Sequence, residues 1–163
     1  MKYRRLTLEQ LKELHQEFIT FLATQSITGI EWEEIKKNKP QVAEEEIDIF
    51  SDLVWERVLG KAQFLEHISP QTMNLFQLEE KEMNLISIMV GLQEIDITTP
   101  DGYKWLKSNL LSDEVKLFTA TKKYSNDPSV DKFKLIENGA VITNGNLFQY
   151  FEDIVELGKD TEL

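Results

Sequence analysis

The hydrophobic period of this sequence changes near Ser69-Pro70, and that change constrains the fold more than any other feature. Before it, apolar residues recur at three- and four-residue spacing, as amphipathic helices require. After it, two apolar-rich runs, 73–78 and 83–90, flank a charged segment and predict a β-hairpin. Residues 115–122 alternate between two faces, which predicts one further half-buried strand. The chain therefore combines a helical first part with a sheet in its middle.

Capping signals define the predicted helices. Thr7 and Thr28 each precede Gln or Glu by three residues, so one helix is expected from Thr7 to about residue 24 and another to about residue 37. A long helix follows from Pro40 to about residue 59, and the sequence leaves open whether it ends at Gly60 or continues to His67. Three later helices are predicted over residues 100–110, 129–138 and 144–157.

These elements predict an α+β fold with N-terminal helices, a small central antiparallel sheet made of the hairpin plus one strand, and C-terminal helices. One domain is expected over residues 1–157, followed by a polar C-terminal tail over 158–163. At 163 residues and 41% hydrophobic content, the chain has enough apolar material for one core.

Charge and composition exclude several classes of function. The net charge is −11, from 29 acidic and 18 basic residues, so we expect no direct contact with nucleic acid. There is no cysteine, which excludes disulfides, thiolate metal sites and cysteine nucleophiles. No signal-peptide core and no apolar run of about 20 residues is present. These features predict a cytoplasmic protein that does not contact membranes.

Four carboxylates of the long helix lie at three- and four-residue spacing: Glu45, Asp48, Asp52 and Glu56. On a helix they share one narrow arc, opposite an apolar stripe that runs from Ala43 to Val58. No Lys or Arg interrupts the arc, so like charges face one another and destabilise an isolated helix. Water, a cation or a basic partner must offset this repulsion. The sequence leaves a solvated face, a basic partner and a metal site open.

Three apolar residues of the same helix lie outside its main stripe: Ile49, Trp55 and Leu59. A helix that is apolar on more than one side usually packs on more than one side. The predicted hairpin covers this second side, or another chain does. In the second case these residues are apolar anchors for a basic, amphipathic partner segment.

Signatures of catalysis are missing. The sequence has no Gly-x-Ser-x-Gly elbow, no phosphate-binding glycine loop and no Glu-x-x-His repeat of the kind that holds metals in helical bundles. His15 lies on the apolar side of the first predicted helix, where we expect a hydrogen-bonded core histidine. His67 follows Glu66 beside a turn and is only a weak candidate base or ligand. We expect no catalytic residue, no bound metal and no cofactor.

Three stretches resemble an uncharacterised family of small proteins from Bacteroidota, especially flavobacteria. They are MKYRRLTLEQLKELHQEFITFLATQSIT at the start, EEIDIFSDLVWERVL in the long helix and FKLIENGAVITNGNLFQYFE near the end. The resemblance covers almost the whole chain and implies a cytoplasmic, single-domain protein. It implies no activity, substrate or site residue.

The function expected from the sequence is that of a small acidic protein-interaction or regulatory protein. Its candidate partner-binding residues are Glu45, Asp48, Asp52, Glu56, Ile49, Trp55 and Leu59, and its expected partner is a basic protein or peptide segment. The alternative is a metal-dependent hydrolase, in which the same carboxylates and His67 hold a divalent cation. Oligomeric state cannot be predicted from the chain.

Overall fold

A computed structural model describes residues 1–161 of the chain, which divide into two compact units, Met1–Gly60 and the residues from Lys61 onward. The helices are α1 (Leu8–Glu13), α2 (His15–Thr24), α3 (Gly29–Asn38), α4 (Pro40–Lys61), α5 (Pro100–Ser108), α6 (Pro128–Glu137) and α7 (Asn146–Thr161). The strands are β1 (Phe64–Ser69), β2 (Thr72–Leu78), β3 (Glu82–Val90), β4 (Val115–Lys123) and β5 (Val141–Thr143). The predicted single domain over residues 1–157 stays a prediction.

The first unit is helical, and aromatic side chains of α2, α3 and α4 form part of its core. The ring centroid of Phe18 lies 5.2 Å from that of Trp32 and 5.0 Å from that of Phe50, while Phe21 lies 5.4 Å from Phe50. Both predicted capping boxes are present, because the hydroxyls of Thr7 and Thr28 each accept a backbone N–H from the residue three positions later. The sequence signals for these two helix starts are confirmed.

The single helix predicted from Thr7 to residue 24 is wrong in one respect, since it breaks at Leu14 into α1 and α2. Leu14 has φ −95° and ψ 23°, outside the helical range. His15, the first residue of α2, is exposed, and Leu8, the first residue of α1, is 77% exposed. The prediction of a core histidine at position 15 is therefore also wrong.

Helix α4 ends at Lys61 and does not continue to His67, because residues 64–69 form β1. Gly60 lies inside its last turn. Along the predicted apolar stripe, Ala43 and Phe50 are buried, whereas Val58 is 37% exposed. The long helix predicted from Pro40 is confirmed. Of the two predicted ends, Gly60 and His67, the structure agrees with the earlier one to within one residue.

The second unit contains a five-stranded antiparallel sheet with the strand order β4-β3-β2-β1-β5. The predicted hairpin is β2 with β3, which pair from Thr72 opposite Met89 to Leu78 opposite Met83. One core cluster includes Met73 and Leu75 of β2, together with Phe151 of α7. A second cluster contains Leu65 and Leu78 and packs with side chains of α6.

The predicted fold class is confirmed as α+β with helices at both ends of the chain, but the sheet is larger than expected. Strands β1 and β5, which pair with each other, were not predicted. Helix α7 continues through Gly158 to Thr161, so part of the predicted polar tail over 158–163 is helical, and residues 162 and 163 lie outside the described residues. Among residues 1–161, no helix is long and apolar enough to cross a membrane.

Two glycines in helices provide a matched pair of predictions. A Cβ added at Gly102 in α5 would lie 1.7 Å from the carbonyl oxygen of Asp96, whereas at Gly60 nothing lies within 4 Å. We therefore expect Gly102→Ala to lower the free energy of unfolding by about 1–3 kcal/mol through overpacking. Gly60→Ala is expected to raise it by about 0.5–1 kcal/mol, because alanine favours the helix. Urea unfolding followed by circular dichroism measures both, and equal effects would contradict the backbone contact at Gly102.

A buried hydroxyl near β4 predicts a stability change at high pH. Tyr124 Oη has no hydrogen-bond partner among the described residues. Burial, and to a smaller extent the charges of Asp131 and Glu79, together raise the pKa of Tyr124 to about 12. The folded state thus disfavours the phenolate, and stability is expected to fall as the pH rises from about 10 through about 12.

Replacing Tyr124 by Phe tests this account. Tyr124→Phe removes an unsatisfied buried hydroxyl, so we expect a gain of about 1 kcal/mol at neutral pH and a weaker loss of stability above pH 10. The matched control is Tyr3→Phe, because the Tyr3 hydroxyl donates to Glu56 Oε1 at 2.7 Å and its removal is expected to destabilise. Thermal melting across pH measures both variants. A loss of stability in Tyr124→Phe would show that this hydroxyl makes a favourable contact.

Candidate functional site

The acidic face of α4 (Glu45, Asp48, Asp52 and Glu56) binds the chain's own N-terminal segment (residues 2–6) through three of its four carboxylates. The carboxylate of Asp52 accepts two successive backbone N–H groups, from Lys2 to Oδ2 at 2.6 Å and from Tyr3 to Oδ1 at 2.9 Å. Hydrogen bonds to an ionised acceptor are shorter and stronger than hydrogen bonds between two neutral groups. Because both donors belong to the main chain, Asp52 recognises the backbone of the segment and not its side chains.

Two more contacts bind the backbone of the N-terminal segment. The indole Nε1 of Trp55 donates to the carbonyl oxygen of Arg4 at 3.1 Å, and the backbone N–H of Leu6 donates to Ser51 Oγ at 3.1 Å. Ser51 is fully buried, and its hydroxyl in turn donates to the carbonyl of Ile47. The guanidinium of Arg4 lies 5.2 Å from the Trp55 ring centroid, within the range of a cation–π contact. The segment is thus bound along its backbone from Lys2 to Leu6.

The basic side chains of the segment pair with the remaining acids. Arg5 Nε donates to Asp48 Oδ1 at 2.6 Å, and Arg5 also binds Glu44. These two hydrogen bonds, that of Asp48 first, raise the pKa of the Arg5 guanidinium above its usual range. Lys2 Nζ lies 2.5 Å from Glu56 Oε1, the same oxygen that accepts the Tyr3 hydroxyl. The repulsion along the acidic face is therefore offset by cations of the same chain.

Two predicted residues on this face are open to solvent. Glu45 is exposed and makes no hydrogen bond or ion pair to any described residue, and Ile49 beside it is 48% exposed. The other two candidate apolar anchors are buried, Trp55 at 9% exposure and Leu59 at 0%. Ile49 is thus the one candidate anchor of the three that is exposed. The partner-binding roles of these residues stay predictions.

Sequence reasoning missed the chain's own contribution to this site. Lys2, Arg4 and Arg5 are the compact basic group of the N-terminus, and their charge is the signal that points to the acidic arc. Nothing in the local pattern pairs residues that are more than 40 positions apart. Glu44 lies beside the predicted arc, and Ser51 carries no charge, so neither stood out.

The structure gives no support to a metal centre. Within the described part of the chain, no group of three or more His, Asp or Glu side chains is placed to hold a metal ion. The ring of His67 lies against Gly139, where an added Cβ would be 3.0 Å from Nε2. Gly139 has φ +112°, a conformation that favours glycine. The imidazole of His67 therefore packs against the backbone that follows α6.

The fold and the site define a small α+β protein whose acidic helix binds its own basic N-terminal segment. The model of a family of unknown function, DUF6495, matches residues 1–156, and the chain therefore belongs to this family. The expected membership of an uncharacterised family that covers almost the whole chain is confirmed. No curated protein and no solved structure matches the chain.

Proposed function

We propose that the chain is a non-enzymatic protein-interaction or regulatory protein that binds a basic segment of a partner on the acidic face of α4. One observation carries the proposal: the Asp52 carboxylate accepts two successive backbone N–H groups of residues that also pair with Glu56. Every residue except proline carries a backbone N–H, and a segment that bends as the chain does at Tyr3 presents two successive donors to one carboxylate. This part of the recognition is therefore independent of side chains. The partner segment takes the place that the chain's own N-terminal segment occupies.

The charges on this face determine which segment fits. Asp48 and Glu44 bind the guanidinium of Arg5, and Glu56 binds the ammonium of Lys2, so a partner needs cationic side chains at corresponding positions. Glu45 and Ile49 lie open beside the occupied acids and give a longer partner segment one further carboxylate and one apolar contact. Trp55 supplies a donor to a main-chain carbonyl of the segment.

The setting we infer is the cytoplasm of a bacterium of the Bacteroidota. The resemblance of the sequence to an uncharacterised family from Bacteroidota supports it. The metal-dependent hydrolase built on the same carboxylates stays a prediction, and no observation on the described residues favours it.

A labelled peptide with the sequence of residues 1–7, MKYRRLT, tests the proposal on the full chain. Two variants break the same internal contacts in opposite ways. Lys2→Glu with Arg5→Glu removes the cations and leaves the acidic face intact, so we expect the peptide to bind at least tenfold more tightly than to the wild type. Asp48→Lys with Asp52→Lys reverses the charge of two of the four carboxylates on the acidic face, and binding is expected to be lost. Fluorescence anisotropy at fixed ionic strength measures all three affinities.

The control separates this face from the overall charge. Glu33→Lys with Glu34→Lys changes the net charge by the same amount as Asp48→Lys with Asp52→Lys, at exposed acids of α3. We expect this control to bind the peptide as the wild type does. If it loses binding equally, or if both test variants bind as the wild type does, the acidic face is not the binding site.

A further inference from the structure

Strand β4 is an open edge of the sheet, exposed on both of its faces. It lies at one end of the strand order and pairs only with β3. Six consecutive residues, 118–123, are exposed. Apart from β3, no described element forms a backbone hydrogen bond with residues 116–123. One row of backbone N–H and C=O groups along this strand is therefore available to an additional strand.

The usual devices that protect such an edge are missing from the middle of β4. Proteins blunt open edges with short strands, prolines, β-bulges, charges or a covering helix. Here the pairing with β3 is continuous over nine residue pairs, from Val115 opposite Val90 to Lys123 opposite Glu82, so there is no bulge. The strand contains no proline, and residues 117–121 carry no charge. The central part of this edge has the length and regularity that a docked strand needs.

The charges on β4 select the kind of strand that fits. Lys116 and Lys122 lie on one face with Phe118 and Ala120 between them, and Phe118 is 48% exposed. The β3 residues opposite the two lysines are Met89 and Met83, so no carboxylate lies across from either. Neither lysine forms an ion pair with a described residue. In a chain of net charge −11, this strand carries only positive charge.

The same charges oppose pairing between two copies of the chain. An antiparallel pair of β4 strands centred on Thr119 would place Lys116 of one copy opposite Lys122 of the other. Like charges directly opposite each other destabilise a strand pair, whereas opposite charges stabilise it. We propose that β4 accepts an extended, acidic segment of a partner protein as a sixth strand, with carboxylates beside Lys116 and Lys122 and an apolar side chain against Phe118. The edge of β4 is a different surface from the acidic face of α4. If this proposal fails, the proposed function of the acidic face is not affected.

Heptapeptides designed on this register test the proposal with the full chain. The peptide ETVTVTE, acetylated and amidated, places Glu opposite Lys116 and Lys122 and Val opposite Phe118 and Ala120 when it pairs antiparallel to residues 116–122. We expect it to bind and to protect from hydrogen exchange those backbone amides of β4 that do not donate to β3. The peptide KTVTVTK, with the same apolar residues, is expected to bind at least tenfold more weakly. A third peptide, ETVTVTE with N-methyl groups on its edge-facing amides, keeps the charges and loses the backbone donors.

Variants of exposed residues complete the test without disturbing the core. Lys116→Glu with Lys122→Glu is expected to reverse the preference, so that KTVTVTK binds more tightly than ETVTVTE. Lys36→Glu with Lys37→Glu makes the same charge change on α3 and is expected to keep the original preference. Equal binding of the N-methylated peptide, protection of amides outside β4, or no binding of ETVTVTE at millimolar concentration would overturn the proposal. A dimer of the chain in sedimentation equilibrium, with the edge-facing amides of β4 protected in the absence of peptide, would also overturn it.

Discussion

Replacing Phe151 by Ala is expected to lower the free energy of unfolding by about 3–5 kcal/mol. Phe151 is fully buried and lies in the core cluster that α7 forms with β2 and β3, which includes Met73, Leu75 and Ile86. The substitution loses the free energy gained by burying the ring. It also leaves a cavity, because the sheet and α7 are too rigid to close around it. This loss is a large fraction of the stability of a domain of this size.

The control for Phe151 lies on the same helix. Leu157 is 66% exposed, and Leu157→Ala is expected to change the free energy of unfolding by no more than about 0.5 kcal/mol. Urea unfolding followed by circular dichroism compares the two variants with the wild type. A loss below about 1 kcal/mol in Phe151→Ala would show that α7 does not pack on the sheet as described.

Replacing Trp55 by Ala is expected to cost a similar amount, about 3–5 kcal/mol. The indole is 9% exposed, donates to the carbonyl of Arg4 and lies beneath the Arg4 guanidinium. Its truncation therefore removes buried apolar surface and also releases the N-terminal segment from α4. Helix α4 then exposes its acidic face without the segment that offsets its charge.

Trp55→Phe separates these two contributions. Phenylalanine keeps most of the buried apolar surface and loses the donor to the Arg4 carbonyl, so we expect a loss of about 1 kcal/mol. Urea unfolding gives the stabilities, and amide hydrogen exchange at Tyr3 and Leu6 reports whether the segment remains bound. If Trp55→Ala left the protection of these amides unchanged, Trp55 would not be what holds the segment.

The helices were predictable because their signals are local. The capping boxes at Thr7 and Thr28 and the prolines that begin α4, α5 and α6 lie within one turn of the helix starts they determine. Hairpin β2–β3 was predictable for the same reason, since its charged turn separates two apolar runs. The break at Leu14 has no such signal, because leucine has good helix propensity.

Strands β1 and β5 depend on pairing between distant residues. In β1, Leu65 lies on the same helical face as Val58, so the pattern of residues 64–69 fits a continued helix as well as a strand. The decision comes from β2, which pairs with β1 over six residues from Phe64 opposite Gln77 to Ser69 opposite Thr72. Strand β5 has only three residues, too few for a period to be recognised.

The acidic face was visible in the sequence, but its occupant was not. The spacing of Asp48, Asp52 and Glu56 correctly places three carboxylates on one side of α4, because helical geometry alone determines that arrangement. Their pairing with residues 2–5 is a tertiary contact across 43 to 54 residues, and no periodicity reports it. The sequence therefore predicted that something must offset the charge, while the structure shows that the N-terminal segment does so.

Competition between the chain's own segment and an added one tests the central claim most directly. The protein, labelled with ¹⁵N, is titrated with the unlabelled peptide MKYRRLT. Hydrogen exchange is followed at the Tyr3 and Leu6 amides, which donate to Asp52 and Ser51. If the acidic face of α4 binds basic segments, protection of these two amides is expected to fall in proportion to the peptide bound. Peptide binding that leaves both amides protected would contradict the account, because the partner segment would then occupy another surface.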